Sequence, residues 1–311
     1  MFVENIKVFN FENALRGMRN PKDSWSISDT IYIKPDSCND EELKQKLFEN
    51  KNILPVSEYI DDKCNEKIFY KTEDSTILSE IANNRYIFKH KPFDLESTVY
   101  QYVDTDCIAI VGPNDLKLAK KLSKNGPVHR KYLREILVSM DIIGSLDFWK
   151  EWDTMKVGTV SNSCSTMHKI TSKPITDPMF SNADLRPYDI EKRKEWIKYL
   201  NEVRDDNSLS DIEKTRILSK QLLLGFEQRR TLTFNYETLA NAFPWRKNHK
   251  LKEWRWLCNE IFINLPYFKD FVVSMLNAKP TIDKKTVEKI LSMAGCDNNI
   301  DIETILKEIN K

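Results

Sequence analysis

Between Arg230 and Asn235 the chain alternates. Thr231 and Thr233 fall on one side, Leu232 and Phe234 on the other, which is the period of a half-buried strand. From Tyr236 the period changes. Leu239, Ala242, Phe243 and Trp245 recur near helical spacing, so a helix is expected to follow the strand at once. The same reading elsewhere predicts a first strand over 5–11, with Ile6 and Val8 opposite Phe9 and Phe11. A short helix over 13–18 follows, ended by Asn20 and Pro21, because the residue before proline avoids the helical region. Strand-like runs at 66–71 and Arg85–His90 are preceded by a charged helix candidate at 40–48, and Asn83-Asn84 is a turn signal. Pro113 and Asn114 open a helix with the stripe Leu116, Ala119, Leu122, and Asn125-Gly126-Pro127 stops it. Two longer helices are expected at 190–203 and 211–226, the second started by Ser210. Pro266 closes a further helix, and beyond Pro280 two short ones are expected at 284–294 and 302–309.

Composition narrows the possibilities. A chain of 311 residues, 41 % hydrophobic, can bury a sizeable core as one large or two medium domains. Lysines and arginines number 48 against 47 acidic residues, so there is no basic excess of the kind broad nucleic-acid binding needs. No apolar run approaches membrane-spanning length, and Glu4 and Lys7 interrupt the N-terminal stretch. A cytoplasmic protein without signal peptide or membrane partner is expected. The six cysteines are far apart and lack Cys-x2-Cys spacing, so no metal site is expected. The seven glycines form neither a dinucleotide-binding fingerprint nor a P-loop.

One spaced pattern carries more information. Asn235, Asn241 and Arg246 stand as Asn-x5-Asn-x4-Arg, and His249, Glu253 and Arg255 follow. This resembles the C-terminal half of the flavin-dependent thymidylate synthases, where a strand ends in Asn, a helix carries a second Asn and closing Arg, and His-Ala-Gln-x-Glu-Ile-Arg comes next. Here the family's Gln falls on Leu251, and the Arg two places after its first Asn falls on Glu237. Upstream, the family's Arg-His-Arg-x-x-Ser-x-Asn-x-x-Ser-x-Arg finds Asn162 and Ser165 in place. Its first Ser falls on Val160 and its last Arg on Met167, and its basic trio falls on Met155, Lys156 and Val157. An Arg of the family's long helix, which contacts the nucleotide, falls on Ser219. His129, before an apolar segment, matches the His that lies against the flavin.

The resemblance implies an α+β fold, helices packed on a mixed or antiparallel sheet with an inserted small α+β segment. Residues 1–30 and 111–270 would form the synthase-like part, 31–110 the insertion and 271–311 a helical extension. The implied activity is reductive methylation of dUMP to dTMP, with FAD as cofactor and NADPH and methylenetetrahydrofolate as co-substrates, in a homotetramer. Arg246 would be catalytic and bind the pyrimidine edge or phosphate. Asn162, Ser163, Ser165, Thr166 and His168 would hold the rest of the nucleotide, since hydroxyls and cations suit a dianionic phosphate. His129, Lys150, Lys156, Asn235 and Asn241 would hold the flavin. Arg16 and Arg19 are further phosphate candidates. Replacement of the basic trio keeps two other readings open: a different pyrimidine-nucleotide-modifying enzyme on this scaffold, and a non-catalytic binding or scaffold protein without flavin.

Overall fold

Val3, Ile6 and Val8 are all buried, which strict alternation from Val3 would not allow. A register shift between Glu4 and Lys7, with Asn5 at φ 53°, inserts the extra residue that turns Ile6 inward. This bulged strand is β1 (Phe2–Phe9). The structure is a computed structural model describing residues 1–34, 53–59, 66–72, 78–80 and 85–276. The helix candidates at 40–48, 284–294 and 302–309 and the turn at Asn83-Asn84 lie outside the described residues.

The strands that follow are β2 (Ile31–Ile33), β3 (Ile53–Tyr59), β4 (Glu66–Thr72), β5 (Leu78–Glu80), β6 (Arg85–His90), β7 (Val99–Asp104) and β8 (Ile108–Ile110). After them come β9 (Leu137–Ser145), β10 (Val160–Ser163) and β11 (Glu227–Asn235). Among the described residues, nine strands make one sheet in the order β10-β11-β9-β1-β7-β6-β5-β4-β3, and β2 pairs with β8 separately. The β1–β7 pairing is parallel and the remaining pairings of that sheet are antiparallel. The class is therefore α+β with a mixed sheet, as expected. Strands from the segment 31–110 share the main sheet, joining it where β7 meets β1.

Among the described residues the α-helices longer than three residues are α1 (Phe11–Arg19), α2 (Pro113–Lys124), α3 (Leu146–Trp152), α4 (Thr166–Lys169), α5 (Pro187–Asp205), α6 (Asp211–Gln221), α7 (Tyr236–Arg246) and α8 (Lys252–Trp256). Several begin where local chemistry says they should. Pro113 opens α2, and the Asp29 carboxylate accepts from the backbone N–H groups of Asn114 and Asp115 at 2.9 and 3.1 Å. Gly112 is required there, since an added Cβ would lie 2.3 Å from Asp29. Ser210 and Glu213 form a capping box at the start of α6. The expected helix over 211–226 stops at Gln221. The carbonyls of Leu224 and Phe226 turn back to accept from the N–H groups of Asp147 and Leu146, at the start of α3.

Two cores result. The larger packs α1, α3, α7 and the helical turns after α8 against the sheet. At its centre Trp152 stacks on Trp254, centroids 5.5 Å apart and planes at 6°, with Phe148 and Phe234 against them. The smaller core lies between α5 and α6, around Leu200, Leu218 and Phe180. Arg19, a phosphate candidate from sequence, is instead buried and binds Asp115, which also accepts from Ser28 and Thr30. Arg16 is exposed and donates to Asn13. Among the described residues no helix is long and apolar enough to cross a membrane.

Candidate functional site

Strand β11 ends and α7 begins at Asn235, as the change of period predicts. The Asn235 side-chain oxygen accepts from the Thr238 N–H at 2.9 Å, so the amide caps its own helix. The loop after α3 closes over this end. Thr238 Oγ1 donates to the Val157 carbonyl at 3.2 Å, and Gly158, at φ +71°, sits against Thr238 and Asn235. A Cβ at Gly158 would lie 2.8 Å from Thr238 Oγ1 and 3.0 Å from Asn235 Nδ2. Met155 packs against the larger core while Lys156 and Val157 are exposed, so the stretch matched to the basic trio does run beside α7 but with different chemistry.

The arginines beside α7, and Arg230 on β11, are each engaged. Arg130 binds the Glu237 carboxylate at 2.9 Å and donates to Asn241 Oδ1 at 3.0 Å. Arg246 donates to Glu151 at 2.6 Å and to Thr154 Oγ1 at 3.1 Å, and lies over the Trp254 ring at 4.9 Å. Arg230 binds Asp153 at 2.8 Å over the Trp149 ring. The Arg246 hydrogen bond holds the Glu151 carboxyl below the ordinary glutamate range. Arg255 donates to the carbonyls of His249 and Lys250, tying down the turn before α8. His129 is exposed on the turn before Arg130, and Lys150 is exposed on α3.

A flavin dinucleotide needs cations or N–H groups for its pyrophosphate. Of the three trio positions only Lys156 is cationic, and Arg130 and Arg246 beside α7 already carry carboxylate partners. Asn235 and Asn241 spend their acceptor oxygens within the chain. These residues of the single chain do not fit the group.

The second set of residues lies at the other end of β11. Asn162 and Ser163 belong to the exposed edge strand β10, opposite Thr231 and Arg230. Cys164 prolongs the pairing, its N–H donating to the Arg229 carbonyl at 2.9 Å while Gln228 holds its carbonyl at 2.7 Å. The chain then leaves the sheet, and Ser165 and Thr166 line a cavity of about 390 Å³. Lys169, Lys173 and Arg229 line it too, over a floor that includes Ile143, Ile170 and Ile175. Arg229 is paired with Glu4 and, at 3.7 Å, with Asp141. Among the described residues no ion pair joins Lys169 or Lys173. His168 falls on the turn of α4, and its side chain lies outside what is described.

The expected site residues therefore fall into two groups. Ser165 and Thr166 meet at the cavity, with Asn162 and Ser163 on the strand leading into it. Asn235, Asn241 and Arg246 gather along α7, with His129 and Lys156 on the loops beside it. From Arg229 to Asn235 the strand advances six residues, or about 20 Å. Sequence reasoning missed Lys169 and Lys173. Their signal was the pair of lysines four apart directly after the Ser/Thr run, beyond the motif's last position.

No protein-family model matches the chain, and no curated protein sequence does. Among solved structures it is similar to thymidylate synthase X from Helicobacter pylori with FAD and dUMP, at 15 % identity and a TM-score of 0.46, over 54 % of this chain and 85 % of that one. A second structure of the flavin-dependent enzyme from the same organism, complexed with FAD and dUMP, gives 15 % identity and a TM-score of 0.44, over 52 % and 82 % of the two chains.

Proposed function

We propose that the chain binds a phosphorylated pyrimidine nucleotide, dUMP being the ligand to test, in the cavity beside Ser165 and Thr166. The observation that carries this reading is the pairing of two hydroxyl residues with Lys169 and Lys173, two lysines without an acidic partner among the described residues. A phosphate monoester is a compact dianion. Hydroxyl donors and ammonium groups bind it by charge-assisted hydrogen bonds, and the apolar floor suits a flat base.

Reductive methylation of dUMP to dTMP, with FAD, NADPH and methylenetetrahydrofolate in a homotetramer, is the second reading. The strand-to-helix placement of Asn235, Asn241 and Arg246, which the family motif specifies, favours it. The poor fit to a flavin pyrophosphate ranks it behind nucleotide binding alone. A cytosolic setting accords with both readings.

Calorimetry with dUMP and with uridine tests the first reading. The wild-type chain should bind dUMP, uridine should bind far more weakly, and the Lys169→Ala, Lys173→Ala double variant should lose about ten- to a hundredfold in affinity. Equal affinity for uridine and dUMP, or no heat at millimolar dUMP, rejects it. Flavin absorbance near about 450 nm in the purified protein tests the second.

A further inference from the structure

Phe180 and Phe226 meet in a single β-bridge, and beside it lies another cavity, of about 480 Å³. Trp196, Leu185 and Leu223 give it apolar walls, while Ser145, Asp147 and Glu253 are its acidic and hydroxyl side. Its charge is opposite in kind to that of the cavity beside Ser165.

Glu253 is only 3 % exposed. Ser145 Oγ donates to its Oε1 at 3.2 Å, and its Oε2 is buried with no hydrogen-bond partner among the described residues. Asp147 Oδ1 accepts from the Phe148 N–H at 3.0 Å. The cations around the cavity are taken. Lys192 binds Glu195 at 2.9 Å, and Arg193 binds Asp177 at 2.8 Å and the Ser181 carbonyl at 2.8 Å. Lys252, adjacent in sequence to Glu253, reaches Asp184 instead. The Met1 ammonium, whose field also acts on Glu253, is held by Glu227. Of the three carboxyl groups that line the cavity, Asp189 is paired with Arg186 at 2.8 Å, and among the described residues no cation is in an ion pair with Asp147 or Glu253.

We propose that this cavity binds a small planar cation of the amidine or guanidine class. Its N–H edge meets Glu253, and its flat face lies along the wall of Trp196 and Leu185. A forked N–H edge matches the two oxygens of a carboxylate, and it supplies the buried Oε2 with the partner it lacks. Leaving such an oxygen unpaired is costly, so a ligand that pairs it gains more than one bound at a solvated carboxylate. Burial also pushes the Glu253 carboxyl above the ordinary glutamate range, which a bound cation would reverse. The proposal does not depend on nucleotide binding.

Benzamidine is the probe and benzamide its uncharged counterpart, titrated calorimetrically into the full chain. Benzamidine should bind the wild type, and benzamide should bind about tenfold more weakly or worse. Glu253→Gln should reduce benzamidine affinity about ten- to a hundredfold, with circular dichroism confirming the fold. Equal benzamidine affinity in wild type and Glu253→Gln overturns the proposal. So does benzamide binding as well as benzamidine, or no benzamidine binding at millimolar concentration. If Glu253→Gln does not fold, Trp196→Leu, at the partly exposed wall, should weaken benzamidine several-fold, and unchanged binding there overturns it equally.

Discussion

Arg246 and Glu151 are joined at 2.6 Å, with the guanidinium lying over Trp254. The residue that the motif assigns to the nucleotide is thus held by a carboxylate of α3. A nucleotide that uses Arg246 meets Glu151 as a competitor for the same guanidinium. If a nucleotide uses Arg246, as the second reading requires, Glu151→Gln removes the competing charge and should tighten dUMP binding several-fold. With dUMP held in the cavity beside Ser165 the affinity should be unchanged, which would mark Arg246 as a packing residue. Arg246→Lys should cost about 1 kcal/mol of stability, because lysine keeps the charge but loses the fork and most of the stacking, and Glu151 is 42 % exposed to screening solvent. Glu151 titrates lower in the folded chain than unfolded. Its contribution is therefore present above the ordinary glutamate range and lost as pH falls through the folded value. Urea melts at pH 7 and pH 3 should show the gap between wild type and Arg246→Lys closing at the lower pH.

Asp115 is fully buried and accepts from Arg19 at 2.5 Å, Ser28 at 2.7 Å and Thr30 at 2.5 Å. It fixes the loop after α1 to the start of α2. Asp115→Asn keeps the shape but leaves the Arg19 charge buried without a counter-ion, and should cost about 3–5 kcal/mol in urea unfolding. A loss below about 1 kcal/mol would show that Arg19 reaches solvent readily.

Gly158→Ala should destabilise the chain by about 1–2 kcal/mol, since its φ of +71° disfavours a side chain and Thr238 and Asn235 leave no room for one. Hydrogen exchange should show faster opening at 155–159 and at the first turn of α7 than elsewhere. Uniform change across the chain would contradict the local clasp.

Glu253 has the opposite sign from Glu151. Burial raises its folded pKa above the unfolded value, so the unfolded chain binds fewer protons between the two, and stability falls as pH rises through that window. Glu253→Gln removes the drop. The variant should gain relative to wild type on going from pH 4 to pH 7 in thermal melts, and a gap independent of pH would mean the carboxyl titrates normally.

The alternation from Arg230 to Asn235, the switch at Tyr236 and the stops at Asn20-Pro21 and Asn125-Gly126-Pro127 were legible in the chain, because each rests on periodicity or on backbone restrictions acting within a few residues. The same locality located Ser210 as a cap, whereas the α+β class was what the resemblance implied. Tertiary structure alone decided the rest. Arg246 reads as a ligand-binding residue until Glu151, 95 positions earlier, is found beside it. Arg19 reads as a phosphate candidate until Asp115 closes on it. Ser165 and Thr166 stand 70 and 69 residues before Asn235, yet they lie at the opposite end of β11, where Arg229 and Lys173 line the same cavity. Charge pairing depends on which distant segments share a low-dielectric space, and no spacing along the chain encodes that.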